Sequence, residues 1–197
     1  MARRVLHDQF FRKAKAEGYL ARSAYKLTEI DDRYKLLRRG DAVLDVGCSP
    51  GSWMQVAAER IGKRGVVIGI DLKEVDVEIA PNVHAVQGDI TQIDPNELLG
   101  ADGKKFDVVL SDMAPNTTGH GDDLRSADLC RALLGLLPAL LRKNGNLTMK
   151  VLEGAEYTAL LSETKAMFRA AKGFKPAASR EMSNEMFIVA HGYKGAP

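Results

Sequence analysis

From Ala42 onward, short apolar runs rich in Val and Ile alternate with stretches of helical period, and this alternation restricts the fold more than any other feature of the chain. The runs predict strands at Ala42–Val46, Val66–Ile70, Val83–Gln87, Phe106–Leu110, Asn146–Val151, Phe174–Ser179 and Met186–Ala190. Helices are predicted at Trp53–Ile61, at Leu124–Arg142 with a kink at Pro138, and at Ala155–Ala171, with a short turn near Asn96–Leu99. Such an alternation buries a mostly parallel sheet between two layers of helix. The last two strands follow one another with no helix between them, so the final one enters antiparallel. At 197 residues and 45% hydrophobic content, the chain is long enough for one packed domain over 1–197 and short for two.

Before Ala42 the pattern from Asp8 to Leu37 is amphipathic and helical, interrupted at Gly18, with Ser23 a candidate cap for the second segment. Residues 1–39 hold eleven Lys/Arg and five Asp/Glu, a net of +6, so the remainder carries −4 to reach the overall +2. A basic helical extension on a mildly acidic body suggests a polyanionic partner, a solvated helix being the plainer alternative. No uncharged apolar run approaches the roughly 18–20 residues that cross a bilayer, and the basic N-terminus lacks the apolar segment of a secretory signal. Cys48 and Cys130 form neither a metal spacing nor a disulfide framework, so a reducing cytoplasm is expected, with no metal and no membrane.

Ligands of open α/β sheets bind beyond the carboxyl ends of the strands. The first strand runs into Asp45-Val46-Gly47-Cys48-Ser49-Pro50-Gly51-Ser52-Trp53, a tight Gly/Pro loop leading into a helix. Gly47 and Gly51 do not match the G-x-G-x-x-G of a pyrophosphate-binding loop, which argues against a nicotinamide dehydrogenase. Asp71 still closes the second strand where a carboxylate can take both ribose hydroxyls, and Asp89 follows the third strand where it can meet a base amino group. Each alone could be a turn residue. Together, three successive strand ends suit an adenosine-like ligand without pyrophosphate, and S-adenosylmethionine fits. Asp45, Gly47, Gly51, Ser52, Trp53, Asp71, Asp89 and Asp112 are therefore the candidate cofactor residues.

The fourth strand leads into Ser111-Asp112-Met113-Ala114-Pro115-Asn116, and the fifth carries Met149-Lys150. A lysine on a central strand is costly to bury unless paired or functional. With Lys26 from the extension and Glu185 at the start of the last strand, two lysines and two carboxylates can converge on the carboxyl edge. These motifs, with Asp8–Ile30, Asp45–Trp53, Gln87-Gly88-Asp89 and Glu185–Ala190, closely resemble the FtsJ/RrmJ family of 2′-O-ribose RNA methyltransferases, in register over nearly the whole chain. Lys26, Asp112, Lys150 and Glu185 are similar to that family's K-D-K-E tetrad. Cys48-Ser49 and Gly51-Ser52 stand where relatives often show Ala-Ala and Gly-Gly. The resemblance implies a class I, Rossmann-like S-adenosylmethionine-dependent methyltransferase fold, with a seven-stranded mostly parallel sheet, the last strand antiparallel, and helices on both faces. It also implies methylation of a uridine ribose in large-subunit ribosomal RNA by a monomer acting on the RNA or the ribosomal subunit.

A ribose 2′-hydroxyl is a poor nucleophile toward a sulfonium methyl unless it is aligned and deprotonated. Lys150 is the expected base, Lys26 its cationic neighbour and a hold on the RNA, Glu185 the group that orients the lysines, and Asp112 the group that positions the amine. Arg12, Lys13, Arg22, Arg33, Arg38 and Arg39, with Arg3, Arg4 and Lys15, are the expected phosphate contacts. Gly119-His120-Gly121 is either a lid beside the site or a connector. Two other readings stay open: methylation of the transfer RNA anticodon loop, and a non-catalytic RNA-binding assembly module.

Overall fold

The computed structural model describes residues 2–100, 102–116, 120–179 and 183–195, with side chains from Gln9 onward. Gly119 and the side chains of Arg3 and Arg4 lie outside the described residues. Helices α1 (Ala2–Ala16) and α2 (Ala24–Tyr34) precede β1 (Ala42–Val46), α3 (Ser52–Ile61), β2 (Val66–Asp71), β3 (Val83–Gln87), α4 (Pro95–Leu98) and β4 (Phe106–Ser111). The chain continues through α5 (Asp122–Leu140), β5 (Leu141–Leu152), α6 (Tyr157–Met167), β6 (Phe168–Phe174) and β7 (Glu185–Tyr193). The seven strands form one sheet in the order β3-β2-β1-β4-β5-β7-β6, and β7 runs antiparallel to both of its neighbours.

Both faces of the sheet are covered, which is why β1 is apolar except for Asp45: Val43, Leu44 and Val46 are at most 1% exposed. On one side α2 and α3 press Leu27, Ile30, Met54 and Val56 onto Val43, Val67, Val108 and Leu110. On the other, α5 and α6 press Leu133, Leu137 and Leu160 onto Leu44, Val109, Leu147 and Ile188. The strand order reverses between β1 and β4, so a crevice opens beyond their carboxyl ends. None of the described helices is long and apolar enough to cross a membrane.

The predicted elements need four corrections. β6 occupies Phe168–Phe174 instead of Phe174–Ser179, taking the end of the predicted helix. Phe168 pairs opposite Tyr193 and Phe174 opposite Phe187, and burial of those rings outweighs the helical preference of Ala170 and Ala171. β5 begins at Leu141, so Arg142 is in the strand, and Pro138 falls in the last turn of α5. β7 runs on past the predicted Ala190 to Tyr193, which is 2% exposed. Ser23 has helical backbone angles, φ −62° and ψ −18°, and does not cap α2 with its side chain. Its hydroxyl instead shares a 2.8 Å hydrogen bond with that of Ser52.

Candidate active site at the carboxyl edge of the sheet

Beyond β1 the backbone is stitched to both flanking strands. Gly47 and Cys48 donate their N–H groups to the Ile70 carbonyl at 2.8 and 3.3 Å, and Asp112 donates its own to the Val46 carbonyl at 3.2 Å. Gly47 has φ +78°, and a Cβ there would sit 2.9 Å from the Met113 nitrogen, so only glycine lets the loop after β4 close onto the loop after β1. Asp71 accepts from the Ser49 N–H through Oδ2 and from the Lys73 N–H through Oδ1, each at 2.9 Å. Asp89 takes the Thr91 N–H and hydroxyl on Oδ1, and these bonds hold its carboxyl below the usual range. Asp45 is 0% exposed and neither carboxylate oxygen has a hydrogen-bond partner among the described residues. Burial, followed by the nearby charges of Asp112 and Asp71, pushes its carboxyl well above the usual range.

Ser52 and Trp53, expected at the cofactor, turn their side chains elsewhere. Ser52 meets Ser23, while the Trp53 indole, 2% exposed, donates to the Ser23 carbonyl at 2.9 Å and packs 5.7 Å from the Phe187 ring. An indole that finds one buried acceptor and an aromatic neighbour is held by the core, so these side chains brace α2. The backbone of both residues still forms the start of α3. Asp71, Asp89 and Asp112 make the strand ends around the crevice acidic, with the Asp45 carboxyl buried beneath them. That donor set, with orphaned carboxylate oxygens and a floor cleared by Gly47, suits a ligand carrying cations and ribose hydroxyls.

The four predicted reacting residues come together as two ion pairs. Lys26 Nζ on α2 lies 2.7 Å from Glu185 Oε2 at the start of β7. Lys150 Nζ on β5 lies 2.9 Å from Asp112 Oδ1 and donates to the Asp112 carbonyl at 2.5 Å. Both lysine side chains are 7% exposed, against 24% for Glu185 and 19% for Asp112. Burial would raise the Glu185 carboxyl, but the charge and hydrogen bond of Lys26, the charge of Lys150 and the Ser183 hydroxyl hold it below its ordinary value. Glu185 thus binds Lys26 directly and reaches Lys150 through space only, a narrower role than orienting both lysines.

Phe187, which no sequence motif singles out, ties the pairs together. It sits opposite Lys150 in the antiparallel register, so the two side chains rise on the same face, and its ring centroid is 5.8 Å from Lys26 Nζ. The alternation Glu185, Phe187, Val189 along β7 was the available signal.

The candidate RNA contacts divide. Arg22 immediately precedes the segment that delivers Lys26, and Arg12 and Lys13 are exposed on α1, where Lys13 lies 4.7 Å from the Tyr25 ring centroid. Arg33 stacks on Tyr34 and Phe174. Arg38 and Arg39 lie elsewhere: they enter β1, and the Gly40 N–H binds the carbonyl of Ile61, the last residue of α3. That is the amino edge of the sheet, opposite the two ion pairs. The basic residues are contiguous in sequence, but α2 carries the chain from one edge to the other between Lys26 and Arg38. His120 accepts from Arg125 at 3.0 Å just before α5.

The FtsJ-like methyltransferase family model matches residues 19–193. "Ribosomal RNA large subunit methyltransferase E" of Syntrophobacter fumaroxidans is 45% identical over 187 residues, covering 94% of this chain and 95% of that protein. The protein of the same name from Methanobrevibacter smithii is 40% identical, covering 95% and 91%. The crystal structure of a Plasmodium falciparum ribosomal RNA methyltransferase superposes with a TM-score of 0.79 at 31% identity, over 90% of this chain and all of that one. A match over the whole of the sheet and the residues at its carboxyl edge leaves one assignment: the chain belongs to the FtsJ-like methyltransferases.

Proposed function

We propose that this chain, acting as a monomer in the cytoplasm, methylates the 2′-hydroxyl of a uridine in large-subunit ribosomal RNA, within an assembled or assembling subunit. The observation that carries the reading is the pair of ion pairs, Lys26 with Glu185 and Lys150 with Asp112, on the strand ends that flank the crevice. S-adenosylmethionine, when bound, supplies an electrophilic methyl group on a sulfonium. Asp71 and Asp89 would hold its ribose and base, the backbone of Gly47, Gly51, Ser52 and Trp53 its floor, and Asp112 its methionine end, with Asp45 beneath.

The chain's own residues have three tasks. Asp112 fixes the Lys150 side chain through its carboxylate and its carbonyl, so the nitrogen has one position. Lys150, as the neutral amine left once its ammonium proton has gone to solvent, takes the proton from the 2′-hydroxyl as the oxygen attacks in line and the carbon–sulfur bond breaks. Lys26, anchored by Glu185, holds the 2′-oxygen or the adjoining phosphate, and Arg12, Lys13, Arg22 and Arg33 draw in the strand. The names of the relatives support the ribosomal target.

The deciding experiment incubates the protein and labelled S-adenosylmethionine with large subunits lacking their own modification, then maps the labelled ribose. Label on one uridine 2′-oxygen is expected. Label in bulk transfer RNA instead, or on a base, overturns the assignment.

A further inference from the structure

The amino edge of the sheet, opposite the ion pairs, carries a second concentration of positive charge. Lys35, Arg38 and Arg39 enter β1, Lys63 and Arg64 form the turn into β2, and Lys143 stands near the start of β5; all six are exposed. The fold holds them side by side. The Gly40 N–H binds the Ile61 carbonyl at 2.9 Å, the Val66 N–H binds the Asp41 carbonyl at 3.1 Å, and the Asn146 amide donates to the Leu36 carbonyl at 2.9 Å. A Cβ on Gly62 would lie 2.5 Å from an Arg39 guanidinium nitrogen, which seats that side chain against the turn carrying Lys63.

Carboxylates at this edge are already committed. Asp41 takes the Arg38 N–H, Asp102 pairs with Lys104 at 2.7 Å, and Asp107 accepts from Arg142 and from the Ala42 N–H. Among the described residues none of the six cations lies within 4.0 Å of a carboxylate. Of the six, Lys35 is the C-cap of α2, and it caps through its backbone N–H on the Asp31 carbonyl at 2.7 Å, not through its side chain. The lysine side chains that bind helix-end carbonyls are others, Lys105 on Pro138 at the end of α5 and Lys194 on Ala166 at the end of α6.

Six exposed, unpaired cations on adjoining turns fit a run of phosphates. Asn146 pairs opposite Val108 four strand residues before Lys150, about 13 Å at roughly 3.3 Å per residue, and Lys143 lies beyond Asn146 in the irregular turn where the register shifts, so this edge does not touch the nucleotide whose ribose is at Lys150. We propose that the amino edge is a second RNA-binding surface, gripping the phosphates of a large-subunit segment other than the one that carries the target ribose. The inference rests on the proposed large-subunit RNA substrate and deepens it, because a folded ribosomal particle can present RNA to two opposite edges of one small protein.

The test compares wild type with K63Q/R64Q/K143Q, measuring methylation of large subunits as a function of subunit and salt concentration. The variant should show a KM for subunits raised at least 10-fold, with kcat and the KM for S-adenosylmethionine unchanged. The slope of log(1/KM) against log salt should fall in magnitude by between about 2 and 3, at roughly 0.7–0.9 for each phosphate no longer neutralised. Circular dichroism melting verifies the fold, and K63Q/R64Q, confined to an exposed turn, replaces the triple variant if that one melts early. An unchanged KM, or a raised KM with an unchanged salt slope, overturns the second surface while wild-type activity leaves the substrate reading intact. Failure of wild type to methylate subunits overturns both.

Discussion

Replacing Glu185 by Gln measures how much of the fold's stability is held at the site itself. Glu185 Oε2 lies 2.7 Å from Lys26 Nζ, with side-chain exposures of 24% and 7%. An exposed pair contributes up to about 1 kcal/mol, and breaking a fully buried one costs about 3–5 kcal/mol. With one partner buried and the other a quarter exposed, loss of the charge should cost about 2 kcal/mol. Gln keeps an acceptor for Lys26, so Glu185→Ala should cost about 1 kcal/mol more. The pH dependence separates a charge effect from a packing effect. Glu185 sits below its ordinary value in the folded state, so its contribution is fully present above the unfolded pKa and is lost as pH falls through the folded one. Urea unfolding of wild type and Glu185→Gln should differ by about 2 kcal/mol at neutral pH, and the gap should close as the solution is acidified below the ordinary carboxylate range. A gap that stays constant on acidification, or a variant as stable as wild type at neutral pH, would refute the reasoning.

Lys150→Ala should reduce single-turnover methyl transfer by at least about 100-fold while calorimetry finds the affinity for S-adenosylmethionine within about threefold; near-normal turnover would remove Lys150 as the base. Gly47→Ala places a Cβ against the Met113 backbone at positive φ, and should weaken cofactor binding more than about 10-fold and cost at least about 1–2 kcal/mol in denaturant unfolding. Trp53→Phe removes the donor to the Ser23 carbonyl and should cost about 1–3 kcal/mol in the same assay. Burial pushes the Cys48 thiol up strongly and that of Cys130 up to about 12, so native protein at pH 8 should react with neither thiol in a colorimetric thiol assay until urea unfolds it.

The sheet was legible in the sequence because strands buried on both faces leave long β-branched runs, as at Val66–Ile70 and Phe106–Leu110. β6 was not, because Phe168-Arg169-Ala170-Ala171 has a helical composition and becomes strand only through pairing with β7. The same limit governs the site. Lys150 stood out as a lysine on a central strand, and its motif neighbours pointed to Lys26, Asp112 and Glu185. What linear order concealed was direction. Arg38 and Arg39 follow Lys26 closely along the chain yet lie at the other end of the sheet, and a conspicuous Trp53 in a Gly-rich loop proved to be facing the core. Composition records which charges exist; only the path of α2 decides which edge receives them.

Ser23 joins two parts of the molecule that have separate ligands in the proposed reaction. Its carbonyl is held by the Trp53 indole and its hydroxyl by Ser52, both at the start of α3, while three residues later the same segment delivers Lys26. In the proposed reaction these contacts give an ordering of the Gly47–Trp53 loop by cofactor a direct path to the lysine assigned to the RNA. Thermodynamic linkage makes that transmission reciprocal: whatever factor S-adenosylmethionine adds to RNA affinity, RNA must add to the affinity for S-adenosylmethionine. After transfer the donor has lost its methyl and its sulfonium charge, and in the proposed reaction any coupling between the spent cofactor and the methylated RNA is again equal in both directions.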